Sequence, residues 1–134
     1  MIVCGIDLDS KGASLVVLGD NEEVVSTTKI AFADHELKKS LVDFSKDITE
    51  YLKKHKVDLL VIKKRALKGK FVGSPLSFKM EALIQLTSFP IKFITAAKLA
   101  SDVKRKSLEL PKGMFKYFSA AYFSALIGLK NEQK

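Results

Sequence analysis

The chain has 134 residues, of which 47% are hydrophobic and 28% charged, so we expect one compact domain over residues 1–134 with a substantial core. Its net charge of +8 favours association with polyanions. A single cysteine, Cys4, excludes an intrachain disulfide. We predict no secretory leader, and no apolar run reaches the roughly 20 residues that a membrane-spanning helix needs. These features together predict a cytoplasmic protein without a membrane partner.

The first third of the chain predicts an antiparallel meander of three strands. Residues 2–6 (IVCGI) form a short apolar run typical of a central strand, and DLDSKG is a turn sequence. Residues 13–18 (ASLVVL) predict a second strand, and residues 23–30 (EVVSTTKI) a third. The turn signal Gly19-Asp20-Asn21 separates these two strands, so we expect short hairpin connections.

A helix is predicted next, from about residue 35 to residue 54, with Asp34 as its N-cap. Apolar residues recur there at spacings of three and four, which places them on one stripe. They are Leu37, Leu41, Phe44, Ile48 and Leu52. Residues 58–62 (DLLVI) follow as a fourth strand. Its apolar character predicts a strand that is covered on both faces of the sheet.

The last part of the chain predicts one further strand between helices. Ser74 and Pro75 suit the N-cap and first position of a helix that runs to about Leu86. Residues 91–94 predict the fifth strand, and Thr95 caps the next helix. A final helix follows Pro111. Its predicted apolar stripe consists of Phe115, Phe118, Tyr122, Ala125, Leu126 and Leu129.

The predicted order is therefore βββαβαβαα. Three antiparallel strands followed by alternating strands and helices indicate an α/β fold with a five-stranded mixed sheet and helices on both faces. This is the element order of the ribonuclease H-like fold.

The most informative chemical feature is a basic segment just after the fourth strand. No acidic residue lies between Leu59 and Met80, and six cations do: Lys63, Lys64, Arg65, Lys68, Lys70 and Lys79. Open α/β sheets place their sites at the carboxyl ends of strands, and clustered cations bind phosphate backbones. The segment therefore predicts nucleic acid as a partner.

Other residues of the same region leave alternatives open. Phe71 lies among the cations, where it either stacks on a base or anchors the loop to the core. Gly69 and Gly73 precede a helix N-terminus, which can present backbone amides to a phosphate, although the spacing is not that of a Walker motif. Glu81, on the following helix, either pairs with a cation or is a solvated helix acid, and we favour the solvated state.

Several segments carry a resemblance to a known family. GIDLDSKGASLVVL, LLVIKKRALKGKF, IKFITAAKLASDVKRK and SAAYFSALIGL resemble the layout of the bacterial Holliday-junction resolvases over nearly the whole chain. VIKKRALKGKFVGSPLSFKMEALIQL resembles more strongly a short bacterial family of domain-of-unknown-function proteins with this fold. GIDLDS is also similar to the phosphate loop of sugar kinases. Those enzymes need two such domains around a nucleotide, so we do not expect ATP binding.

The resolvase resemblance implies four carboxylates that hold two divalent cations for phosphodiester cleavage. Asp7 matches the first of them. The second would fall on Lys63 or Lys64, and the Asp-Ala-Ala-Asp pattern of the last helix is replaced by Ser119-Ala120-Ala121-Tyr122. Three of the four expected acids are thus missing. We expect no cofactor and no catalysis, and we predict that Lys63 or Lys64 lies close to Asp7 in place of a metal.

Three functional hypotheses remain. The leading one is a catalytically degenerate, resolvase-like domain that binds nucleic acid through Lys63, Lys64, Arg65, Lys68, Lys70 and Phe71. The second is a Mg²⁺-dependent nuclease with a rearranged site, with Asp7 and Asp9 as ligands and Asp102 or Glu109 as additions. The third is a non-enzymatic interaction module. It would form a homodimer or bind a protein through the last helix, where Tyr117 and Phe123 lie off the apolar stripe.

Overall fold

The structure is a computed structural model that describes residues 1–65 and 74–133. Five strands form one sheet: β1 (Val3–Leu8), β2 (Gly12–Leu18), β3 (Val24–Ala31), β4 (Leu59–Lys63) and β5 (Ile91–Ile94). The helices are α1 (Lys38–Lys54), α2 (Pro75–Gln85), α3 (Ala96–Arg105) and α4 (Ser119–Glu132), and a short 3-10 helix spans Lys116–Phe118. The element order predicted from the sequence is confirmed.

The strand order in the sheet is β3-β2-β1-β4-β5. β1 pairs antiparallel with β2 and parallel with β4, so it lies at the centre of the sheet. Two apolar clusters cover the two faces of the sheet. One contains α1 and α2 residues such as Phe44 and Met80, and the other contains α3 and α4 residues such as Leu99 and Ala125. The mixed sheet with helices on both faces is the predicted fold class.

Two local signals in the sequence place helix starts correctly. The Ser74 hydroxyl accepts a hydrogen bond from the Ser77 amide, and the Thr95 hydroxyl accepts one from the Lys98 amide. These bonds satisfy amides that have no partner within the first turn of a helix. The start of α2 at Pro75 is therefore confirmed.

The predicted start of α1 is wrong, because the helix begins at Lys38 and Asp34 is not its N-cap. The Asp34 carboxylate accepts a hydrogen bond from the Glu36 amide, two residues on, which is the bond of an Asx turn and not of a helix cap. β1 is also longer than predicted, because Asp7 pairs with Ser14 instead of lying in the turn.

The predicted stripe of the last helix is wrong at its beginning. The α-helix starts only at Ser119, and Phe115 lies before the 3-10 helix with 68% of its surface exposed. Phe118 and Tyr122 are buried as predicted, Tyr117 is exposed, and Phe123 is partly buried against the core. The aromatic residues of α4 itself therefore serve mainly the core of this domain.

Cys4 is fully buried, as predicted for a small hydrophobic residue, and burial raises the pKa of its thiol. None of the helices described here is both long and apolar enough to cross a membrane.

Candidate nucleic-acid interface

A row of polar residues crosses the sheet near the carboxyl end of β1. Asp7 pairs with Ser14 of β2, which pairs in turn with Lys29 of β3. On the other side, the parallel pairing of β1 with β4 ends one residue before Asp7, so Lys63 comes next in register beside it. Residues in register share a face of the sheet, and neighbouring strands lie about 4.8 Å apart. The fold therefore sets Asp7 between two lysines, on the face covered by α4.

Arg65 makes the closest ion pair to Asp7 among the described residues. Its Nη1 atom lies 3.7 Å from Asp7 Oδ1, and the same nitrogen donates a hydrogen bond to the Leu8 carbonyl oxygen. The Arg65 side chain is only 16% exposed and the Asp7 side chain only 22%. Arg65 thus folds back from the end of β4 over the carboxyl end of β1.

The prediction that Lys63 or Lys64 lies close to Asp7 agrees with the position of Lys63, which is next in register and whose charge lowers the pKa of Asp7. The ion pair with the carboxylate, however, is made by Arg65, which was not predicted as its partner. Lys63 shares the face of Asp7, but its side chain lines a groove between α3 and α4 together with Leu99, Ser119 and Phe123. The guanidinium group is longer and can bond a carbonyl and a carboxylate at once, whereas an ammonium is a point charge. Two cations therefore lie close to Asp7: the predicted Lys63, and Arg65, which makes the ion pair.

The pKa of Asp7 lies above its ordinary value. Burial of the carboxylate is the main cause, and the charges of Lys63 and Arg65 act against it. The two nearby cations thus offset only part of the free-energy cost of burying the ionised Asp7 carboxylate.

A second carboxylate, Glu81 of α2, also lies close to Arg65. Burial raises its pKa, while the Arg65 amide and the charges of Arg65 and Lys64 oppose the increase. Among residues 1–65 and 74–133, Glu81 Oε1 and Arg65 Nε are buried without a hydrogen-bond partner. The prediction of a solvated helix acid is therefore wrong for Glu81. Sequence spacing did not reveal it as a site residue, because it meets Arg65 only through the packing of α2.

Asp9 serves the turn between β1 and β2. Its carboxylate accepts hydrogen bonds from the Lys11 and Gly12 amides and pairs with Lys29 Nζ at 2.7 Å. Burial works in the opposite direction, but these partners hold the pKa of Asp9 below its ordinary value. Both of its oxygens are engaged, so Asp9 matches the role of a turn residue better than that of a metal ligand.

The other proposed ligands are also occupied or remote. Asp102 lies on α3, where Lys98 at 2.9 Å and Arg105 at 3.0 Å pair with its carboxylate and lower its pKa. Glu109 is exposed in the segment after α3. In the described part of the chain, no group of three or more His, Cys, Asp or Glu residues could hold a metal ion. With a guanidinium at 3.7 Å from Asp7, the residues present do not fit a two-metal site.

The predicted binding residues fall into two groups. Lys63, Lys64 and Arg65 lie together at the carboxyl end of β4, and Lys64 is exposed. Three further predicted residues lie outside the described residues: Lys68, Lys70 and Phe71. The structure adds Lys29, which the sequence analysis missed. Its only signal was its position near the end of the third strand, and the pairing register was needed to place it in the same row as Asp7, with Ser14 between them.

Replacement of Asp7 by Asn is expected to change how stability depends on pH. A raised pKa means that the folded state holds the proton more tightly, so the wild type loses stability as pH rises from the unfolded value of about 3.9 through the folded pKa. Asp7→Asn removes this loss. Urea unfolding should therefore show the variant gaining stability relative to the wild type between pH 3 and pH 7.

Asp9→Asn is the matched control, because the pKa of Asp9 is lowered and its contribution has the opposite sign. This variant should lose stability relative to the wild type over the same increase in pH. A parallel response of both variants would show that Asp7 is not held in the environment described.

Mg²⁺ or Mn²⁺ should not raise the melting temperature of the wild type. A metal-dependent increase that Asp7→Asn abolishes would restore a metal site.

Comparisons with known proteins agree with this fold. The family model described as "Protein of unknown function (DUF3010)" matches residues 1–128. No curated protein sequence matches the chain. Among solved structures, Thermus thermophilus RuvC in complex with a Holliday junction substrate is similar with a TM-score of 0.71, at 12% identity over 99% of this chain and 96% of that chain.

Two further structures show the range of the likeness. The Fowlpox virus resolvase in complex with Holliday junction DNA has a TM-score of 0.60, at 12% identity over the full length of both chains. A ROK hexokinase from Thermus thermophilus has a TM-score of only 0.47, at 14% identity over 78% of this chain and 37% of that chain. The two resolvases confirm the ribonuclease H-like, resolvase-type fold.

Proposed function

The chain belongs to the DUF3010 family, and we propose that it is a nucleic-acid-binding domain with a degenerate resolvase site. One observation carries the proposal. Arg65 already provides a cation for Asp7, while Lys63 and Lys64 add positive charge at the same end of the sheet. The surplus therefore remains available for an anion at the edge where open α/β sheets bind ligands.

The same observation favours binding over cleavage. A resolvase-type site needs carboxylates that attract divalent cations, and here a guanidinium and a lysine surround the remaining acid. The Asp7 carboxylate already has the Arg65 guanidinium as its ion-pair partner, so a hard cation would have to displace that group. We therefore propose that any interaction with the phosphodiester backbone is electrostatic and leaves it intact.

Branched DNA is the first substrate to test. The printed descriptions of the two resolvase structures name Holliday junction DNA as their ligand. At 12% identity that likeness shows the fold alone, so branched DNA as a ligand of this chain is our proposal and does not follow from the likeness. Single strands and plain duplex of the same length are the necessary comparisons.

Binding should depend steeply on salt. With three or four phosphate contacts, the logarithm of the association constant should fall with the logarithm of salt concentration with a slope of about −3. Lys64→Ala should weaken binding to every probe and reduce the magnitude of that slope by about 1. Fluorescence anisotropy at several salt concentrations between 50 and 200 mM would measure both quantities.

Lys53→Ala is the matched control for charge, because Lys53 is an exposed lysine near the carboxyl end of α1. This helix leads into the amino end of β4, whereas Lys64 follows the carboxyl end of the same strand. Lys53→Ala should leave the slope unchanged. Equal effects of the two substitutions would indicate diffuse attraction without a defined site. No binding to any probe at low salt would contradict the proposed function, and Asp7-dependent cleavage with Mg²⁺ would replace it with the nuclease hypothesis.

A further inference from the structure

Two exposed aromatic rings lie together just before α4. Phe115 is 68% exposed and Tyr117 is 51% exposed. Their ring centroids are 5.5 Å apart with an interplanar angle of 26°, which is a stacked arrangement. Tyr117 also contacts the buried ring of Phe118 at 4.4 Å between centroids. The exposed pair is therefore attached to the core through Phe118 and does not depend on a free loop for its position.

The rings lie beside the polar row described above. Lys29 Nζ is 5.7 Å from the centre of the Tyr117 ring and is held at 2.7 Å by Asp9. Lys29 belongs to the same row across the sheet as Asp7 and Lys63, and three strand spacings place its backbone roughly 14 Å from that of Lys63. The aromatic pair and the basic residues thus occupy one edge of the molecule.

The charge around the rings indicates what covers them. Residues 110–117, which include both rings, contain no acid and two cations, Lys112 and Lys116. Lys112 and Lys116 are exposed on either side of Phe115 in the sequence. The cores of protein interfaces are depleted of charge, and lysine in particular is rare in them. Aromatic rings set among cations are instead the arrangement that binds bases and phosphates of single strands.

We propose that Phe115 and Tyr117 form a stacking platform for an unpaired nucleobase. This inference rests on the proposed function and narrows it. The bases of an intact duplex are stacked on one another and cannot reach a surface ring, so the platform selects single strands or the unpaired bases of branched DNA. Lys29 and Lys116 would lie near the adjoining phosphates.

The first test compares affinities for a single strand and for a blunt duplex. Phe115→Ala and Tyr117→Ala should each lower the affinity for the single strand by about 5- to 100-fold and leave duplex affinity unchanged. The salt slope should also stay unchanged, because no charge is removed, in contrast to Lys64→Ala. Leu86→Ala is the matched control, since Leu86 is an 83% exposed apolar residue at the end of α2.

The second test observes stacking directly. The chain contains no tryptophan, so Tyr117→Trp introduces a single tryptophan at the platform, whose emission can be excited apart from that of the tyrosines. A single-stranded oligonucleotide should quench its emission at saturation. An oligonucleotide of equal length with abasic sites, which keeps the phosphates, should quench it much less.

Each unfavourable outcome has its own meaning. Single-strand binding by the wild type that both alanine variants retain would overturn the platform and leave the proposed function intact. Concentration-dependent dimers in light scattering, abolished by the alanine variants, would make the rings a protein interface instead. Absence of all nucleic-acid binding by the wild type would overturn the proposed function and the platform with it.

Discussion

Gly5→Ala is expected to destabilise the domain by about 3–4 kcal/mol, which corresponds to a decrease of roughly 11–14 °C in melting temperature. Gly5 lies in the middle of β1, where the backbone of α4 passes directly over the strand. An added Cβ would overlap the Ala121 carbonyl oxygen and lie 2.7 Å from the Ala125 amide nitrogen. Both atoms belong to a helix backbone and cannot move aside as a flexible side chain could. Thermal and urea unfolding would measure the loss.

Gly113→Ala is the matched control. Gly113 has φ of +89°, but an added Cβ there meets no atom within 4 Å. Its cost of about 1 kcal/mol should come from backbone conformation alone. Equal costs for the two substitutions would contradict the close approach of β1 and α4. That approach matters for the site, because it sets the first turn of α4 over the face that carries Asp7 and Lys63.

Arg65→Met is expected to cost about 2–3 kcal/mol of stability at pH 7, somewhat less than the loss of one partner of a fully buried ion pair. The substitution keeps most of the apolar stem but removes the charge that lies near Asp7 and Glu81. Without it the pKa values of both acids should rise further, because their burial is then less compensated. The substitution destabilises the fold only when Asp7 and Glu81 are ionised, so the loss of stability should be largest at neutral pH and smallest near pH 3.

The control is Lys64→Met, which removes a neighbouring exposed cation and should change stability by less than about 0.5 kcal/mol. Combining Arg65→Met with Asp7→Asn should recover part of the lost stability, since one uncompensated carboxylate is then absent. A double-mutant cycle would give this coupling, which we expect to be about 1 kcal/mol. Strict additivity of the two substitutions would show that Arg65 does not act through Asp7.

The sequence by itself determined the element order, two helix caps and the position of the basic segment. Apolar periodicity reports which face of an element is buried, and Ser74 and Thr95 bond amides three residues away, so these features are local. The fold class follows from them, because two short antiparallel connections and two crossovers leave few arrangements of a mixed sheet. Local signals were less decisive at Asp34, where the Asx turn and the N-cap use the same carboxylate.

Only the tertiary structure decided which residues meet at the site. Lys29 lies in the row with Asp7 through two strand pairings, and a register shift of one residue would have placed it on the other face. Arg65 reaches Asp7 because it folds back onto Leu8, and Glu81 approaches it through the packing of α2. Phe115 lies outside the core because the chain enters α4 through a 3-10 helix. These contacts join residues far apart in the chain, and their side-chain directions depend on packing that no local pattern records.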